Sequence, residues 1–266
     1  MSRLNQLITE KAISQVRVKK YTKDIKSWYN YGDMVNTVGS YQTRYWHKNL
    51  IPLKQAVVIT PLQHSIIIGS LLGDGTMRLG KGARNASFKT EQGLQQKTYV
   101  FWKYLHLKPL VLTEPKISYR YQHDTKEKYE KSWWFRTIRH PLLTEICYRF
   151  YKINGHCVGK KIIPRDIHDI LTPMALAVWI MDDGSYNGKK IDISTYAFTL
   201  SEIHLLQKCI EKRYGVEMKY YRDRNKGYRL YCNQKETAKL VNIINPYVID
   251  SMKYKIGLVN PVTTGS

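Results

Sequence analysis

Two aspartates, Asp74 and Asp183, each end an apolar run and stand directly before a glycine. The runs read I-I-G-S-L-L-G-D-G over residues 67–75 and L-A-V-W-I-M-D-D-G over residues 176–184. Apolar runs of this length read as buried helices, and a carboxylate at a helix C-terminus sits against the negative end of the backbone dipole. That placement costs about 0.3–1 kcal/mol each, and two such tips side by side also repel one another. A divalent cation between them reverses the balance. Hard ions such as Mg²⁺, or Mn²⁺ or Ca²⁺ at the same place, take carboxylate and carbonyl oxygens and keep positions open for water and phosphate. The expected ligands are therefore Asp74 and Asp183, with the carbonyls that precede them, at Gly73 and Asp182. Bound there, a cation lowers the pKa of water and stabilises charge building on a phosphate.

Elements have to bring the two tips together. Gly69, Ser70 and Gly73 on one run and Ala175 and Ala177 on the other are small enough for close helix contact. Proline at position 61 suits a helix start, and the first helix is expected over residues 61–73, with Gly75 ending it in a left-handed cap. Strands are expected at residues 76–79 and 85–90, around the turn at 80–82. A helix follows at 95–107, then strands at 116–121 and 132–138 across a charged loop, then a helix at 141–151. The order returns after Thr172-Pro173: helix to Met181 with Gly184 ending it, strands at 185–186 and 190–195, and a helix at 201–214. Strands at 216–222 and 227–232 and a helix at 234–245 complete it.

The offset between the copies falls from 109 at Asp74 and Asp183 to 105 at Thr90 and Thr195. It is 95 at Trp134 and Arg229 and 94 at Lys161 and Lys255. A drift in one direction fits a duplicated unit whose first copy has longer loops. A lone Asp-Gly after an apolar helix is an ordinary turn; two in a repeated frame call for a shared role.

Composition names the partner class. Across 266 residues, 43 Lys and Arg oppose 21 Asp and Glu, a net charge of +22, which points to an anionic partner, nucleic acid before membrane. No apolar run reaches the roughly 20 residues that cross a bilayer. Residues 1–60 form a basic extension without long apolar periodicity. Cys147, Cys157, Cys209 and Cys232 make no C-x-x-C pair and read as small core residues in a reducing compartment.

The two runs, and above all T-P-M-A-L-A-V-W-I-M-D-D-G over residues 172–184, resemble the signature helices of single-chain LAGLIDADG homing endonucleases. The resemblance covers about residues 61–257. It implies an α+β fold of two pseudo-symmetric αββαββα repeats, at 61–163 and 164–266. Each repeat is expected to lay a four-stranded antiparallel sheet on DNA, with a central helix pair joining them. It also implies metal-dependent cleavage of both strands at a long, near-palindromic site. Carried onto this chain, Asp74 and Asp183 are the metal ligands, and Lys161 and Lys255 match basic positions that flank the active sites. Glu91 and Gln92 are candidates to position water. Arg78, Arg84, Lys89, Arg120, Arg136, Lys189, Arg222, Arg224 and Arg229 are expected on strand faces that read DNA, arginine favouring guanine edges and lysine phosphates. The same scaffold leaves open an intron RNA maturase and a non-cleaving DNA-binding regulator. Retention of both aspartates and both lysines argues against the regulator. The chain is expected to act as a monomer in an organelle, the mitochondrion before the chloroplast, given its abundance of Lys, Ile, Asn and Tyr.

Overall fold

A computed structural model describes residues 57–258, apart from residues 81, 155 and 156 and the side chains of Asn154 and Cys157. Most of the expected basic extension, the end of the C-terminal tail, the turn position Lys81 and the expected core role of Cys157 lie outside the described residues.

Two helices with the same beginning form the centre. Helix α1 (Pro61–Leu72) starts with a capping box: the Thr60 hydroxyl accepts from the Gln63 amide, and the Gln63 side chain accepts from the Thr60 amide. Thr172 caps α5 (Pro173–Asp183), accepting from the Ala175 amide at 3.1 Å. Each helix then opens on proline, whose missing N–H would have had no partner in the first turn. Both are apolar around most of their circumference, a pattern that needs protein on all sides. Ile66, Ile67, Ile68 and Leu71, and Leu176 through Ile180, are fully buried. Each large aliphatic chain among them contributes about 1.5–3 kcal/mol of transfer free energy.

The small residues set the spacing. A Cβ at Gly69 would lie 2.3 Å from the Ala175 carbonyl oxygen, and one at Gly73 would lie 2.5 Å from the Asp182 Cβ. The helices thus meet backbone to backbone along the line that leads to the aspartates.

The helix ends differ from expectation. Helix α1 stops at Leu72, and Gly73 caps it at φ −104°, its amide reaching the Gly69 and Ser70 carbonyls. Gly75 is not left-handed. It is needed for space, since a Cβ there would lie 2.7 Å from the Ser70 carbonyl oxygen and 2.8 Å from the Phe88 ring. Helix α5 runs through Asp183 rather than ending at Met181, and Gly184 is extended.

Both repeats carry the expected seven elements. The first sheet has strands β1 (Thr76–Arg78), β2 (Ser87–Gly93), β3 (Lys116–Tyr121) and β4 (Lys128–Arg136). They stand in the order β1-β2-β4-β3, all antiparallel. After the hairpin β5 (Tyr151–Asn154) and β6 (Cys157–Lys161), the second sheet has β7 (Gly184–Tyr186), β8 (Ile191–Ser194), β9 (Lys219–Asp223) and β10 (Gly227–Tyr231). Their order, β7-β8-β10-β9, is the same. Helix α2 (Lys97–Leu107) covers one face of the first sheet, Phe101 meeting Trp133 edge-on at 5.6 Å and Tyr104 meeting Phe135 at 5.9 Å. Helix α6 (Leu200–Tyr214) covers the second, with His204 against Tyr220 at 5.3 Å. Helices α3 (Pro141–Phe150) and α7 (Gln234–Ile244) close the repeats.

Register corrects the internal alignment. Thr76 pairs with Lys89, and Ser185 pairs with Asp192; Glu91 pairs with Trp134, and Ser194 with Arg229. In the second strands the copies are therefore offset by 103, and Gln92, not Thr90, corresponds to Thr195. The hairpin β5–β6 and the short helix α4 (Ile167–Ile170) between the repeats were not foreseen.

Candidate active site

The tips of α1 and α5 put three carboxylates and three ammonium groups together. Asp74 lies close enough to Asp183 for its charge to act on that carboxyl. Partial desolvation, then Asp74 and Asp182, push the Asp183 carboxyl up to about 8. Asp74 is raised by partial desolvation first and Asp182 second, with Lys103, Gln92 and Lys255 acting the other way.

The two lysines do equivalent work from unlike elements. Lys161, the last residue of β6, donates to the carbonyls of Gly73 and Gly75, both at 2.9 Å, on either side of Asp74. Lys255 belongs to a 3₁₀ segment, Asp250–Ile256, and donates to the Asp182 carbonyl at 2.7 Å. Gly73 and Asp182 occupy the same place in the two copies, so each lysine fixes the carbonyl immediately before a metal-binding candidate. Burial lowers the pKa of both lysines, opposed by all three aspartates. In the fold as it stands, the Gly73 and Asp182 oxygens thus serve ammonium donors; a cation ligated by either would share that oxygen with a lysine or displace it.

The Asp182 side chain is a separate matter, and its role was not read from the sequence. It is completely buried, and its Oδ1 accepts from Lys103 Nζ at 2.7 Å, Tyr99 Oη at 2.8 Å and Gln92 Nε2 at 3.1 Å. Its Oδ2 accepts from the Asp74 backbone amide at 3.3 Å. Gln92 Nε2 also donates to Asp74 Oδ2 at 3.0 Å. A lysine two turns into an aromatic helix would have been the signal, had its side been known: Lys103 is fully buried.

Of the two water-positioning candidates, Gln92 faces the aspartates. Glu91 lies on the opposite alternation of β2, bound by Lys89 at 2.6 Å, Ser132 at 2.5 Å and Lys131 at 3.2 Å. Burial would raise its pKa, but these donors hold it down at about 2. Both residues line a cleft of about 330 Å³ that also includes Asp74, Gly93, Gln96, Lys131 and Ser132.

The expected DNA-reading residues divide in three. Arg78, Lys89, Arg120 and Arg136 alternate onto the open face of the first sheet, and Arg229 onto that of the second. Arg136 stacks near Trp134, and its Nε has no hydrogen-bond partner among the described residues; Arg229 is held by Tyr196 at 3.0 Å and Ser185 at 3.1 Å. Arg84, Lys189 and Arg224 are exposed but sit in turns between strands rather than on strand faces, because β2 and β8 start later, and β9 ends earlier, than these residues. Arg222 is corrected outright: it pairs with Tyr228, beside Tyr220, on the side covered by α6. In its place the open face of the second sheet offers Lys190 over the Tyr231 and Tyr221 rings, at 4.6 and 5.6 Å.

The donor set, carboxylates raised by burial and neighbouring negative charge together with backbone carbonyls, has the oxygen chemistry of a hard divalent cation's ligands; among the described residues no group of three or more His, Cys, Asp or Glu is placed to hold a metal by itself.

Comparison with known proteins places this geometry. The sequence pattern of the LAGLIDADG DNA endonuclease family matches residues 64–240. The chain is 29% identical to the DNA endonuclease I-ChuI of Chlamydomonas applanata over 209 residues, 74% of this chain and 95% of that one. It is 31% identical to the cytochrome b mRNA maturase bI2 of Debaryomyces hansenii over 196 residues, 72% of each. In three dimensions it is similar to the homing endonuclease I-WcaI bound to its DNA recognition sequence, with a TM-score of 0.71 at 24% identity, covering 84% of this chain and 96% of the other. With the signature helices, the doubled αββαββα unit and a match over well more than half its length, the chain belongs to the LAGLIDADG DNA endonuclease family.

Proposed function

We propose that the protein is a site-specific endonuclease that cuts both strands of a long, near-palindromic DNA target, as a monomer, with a divalent cation. The observation that carries this reading is the pairing of the Asp74 and Asp183 tips, each with a lysine on the carbonyl before it, between two sheets with basic open faces. A net charge of +22 supplies the long-range attraction to DNA.

Asp74 and Asp183 would hold the cation, Mg²⁺ being the physiological choice, with the Gly73 and Asp182 carbonyls completing the set. When bound, it supplies Lewis-acid stabilisation of charge on the scissile phosphates and a lowered water pKa. The chain's own groups orient the reaction. Lys161 and Lys255 bring positive charge to each phosphate and are poised to stabilise the charge that builds there. Gln92 fixes the rotamer of Asp74 through its 3.0 Å hydrogen bond. Arg78, Lys89, Arg120, Arg136 and Arg229 bind base edges and phosphates on the open faces, fixing which phosphates reach the tips.

The test is to replace Asp74 or Asp183 by asparagine and follow a supercoiled plasmid that carries the target. Nicking with DNA binding retained is expected; undiminished double-strand cutting would refute the roles given to the aspartates.

One observation favours a second activity. The 31% identity to a cytochrome b mRNA maturase supports intron RNA binding on the same scaffold, with or without cleavage, and an organellar, mitochondrial setting. Wild-type protein that promotes splicing of its intron but never cuts DNA would make the maturase the primary function.

A further inference from the structure

The two repeats differ at one buried place, and the difference is complementary. At the tip of α5 stands Asp182; the equivalent residue of α1 is Gly73. Facing Asp182 from the first repeat are Gln92 on β2 and Lys103 on α2. The register offset of 103 makes Thr195 the counterpart of Gln92. The same offset superposes the buried positions of α6, Ile203, Leu206 and Ile210, on Val100, Lys103 and Leu107 of α2. Leu206 therefore stands where Lys103 does, and the Thr195 hydroxyl donates to the Tyr228 carbonyl at 2.7 Å. One tip has a carboxylate met by an ammonium; the other has a glycine in the carboxylate's place, and a leucine occupies the position equivalent to the lysine.

A fully buried ion pair brings little net stability, because desolvation offsets most of the attraction, so its retention needs another account. The Asp182 carboxylate receives the Asp74 amide and shares the Gln92 donor with the Asp74 carboxylate. It thereby fixes both the backbone and the side chain of an aspartate in the other repeat. We infer that Asp182, neutralised by Lys103, is a positioning residue for Asp74 and makes the two half-sites unequal, the one centred on Asp74 being set by contacts that, among the described residues, the one centred on Asp183 lacks.

This inference rests on the endonuclease reading, and the experiment separates the two. Lys103→Met/Asp182→Asn removes both charges at nearly constant volume, so no buried charge is stranded. A target labelled differently on each strand is cut under single-turnover conditions. Ca²⁺ binding to the protein–DNA complex is measured by calorimetry, and melting temperature and metal-free DNA affinity are recorded alongside. One strand should slow by at least about tenfold, as expected for a misplaced ligand, while the other changes by less than about threefold. Ca²⁺ binding should weaken, and metal-free DNA affinity should hold. Equal slowing of both strands, or slowing of neither, overturns the inference. If the double variant does not fold, Tyr99→Phe decides, since it removes one donor to Asp182 and leaves the ion pair. Selective slowing of one strand supports the inference, and an unchanged strand ratio overturns it. Wild-type protein that cuts neither strand would instead overturn the endonuclease reading.

Discussion

Asp183 carries the sharpest consequence for solution behaviour. Its carboxyl is pushed up to about 8 from an ordinary 3.8, by burial first and then by Asp74 and Asp182. A carboxyl whose pKa is higher in the fold than in the unfolded chain holds its proton more tightly when folded. Its ionisation therefore weakens the fold as pH rises from about 4 to about 8. A divalent cation held at the tips would bind the ionised form and offset this. The rise in melting temperature on adding Ca²⁺ should accordingly be larger at pH 8.5 than at pH 6, and Asp183→Asn should abolish the difference. Equal shifts at both pH values would mean that Asp183 does not hold the ion. Asp74, Asp183, Lys161 and Lys255 were legible as chemistry because each lies in a motif. Lys103 and Tyr99 were not: a lysine on an aromatic helix reads as solvated, and only packing shows it is buried against a carboxylate from the other repeat.

At the level of elements, the contact between α1 and α5 fixes the distance between the tips. A methyl group on Gly69 would meet the Ala175 carbonyl oxygen at 2.3 Å. Gly69→Ala should therefore destabilise by about 1–3 kcal/mol, although alanine in a helix is otherwise favoured over glycine by about 1 kcal/mol. Thermal melting checks the sign, and a higher melting temperature would show that the helices are not so close. The order of elements was legible from apolar periodicity and turn residues, and β3 was placed to the residue. Boundaries failed where tertiary contacts decide them. Gly75 was read as a left-handed cap when close packing against Phe88 is what demands glycine. The hairpin β5–β6 escapes the sequence reading because its strands are only four and five residues long and Tyr151, which opens β5, falls at the end of the expected helix at 141–151, yet it delivers Lys161.

For the whole molecule, the charge surplus and the two open sheet faces predict strongly salt-dependent DNA binding. With about 6–10 phosphates neutralised, affinity should fall by about 10³–10⁵ between 50 and 200 mM salt, measurable by fluorescence anisotropy in the presence of Ca²⁺. A flat salt response would sink the nucleic-acid reading altogether. The pairing of Asp182 with Lys103 also bears on how such enzymes are recombined. Two copies of the first repeat would leave Lys103 buried with a glycine in place of Asp182, and two copies of the second would bury Asp182 with a leucine in place of Lys103. Domain shuffling with this protein has to move both residues as one heritable unit, and a symmetric homodimer made from either half should fail to assemble until that site is rewritten.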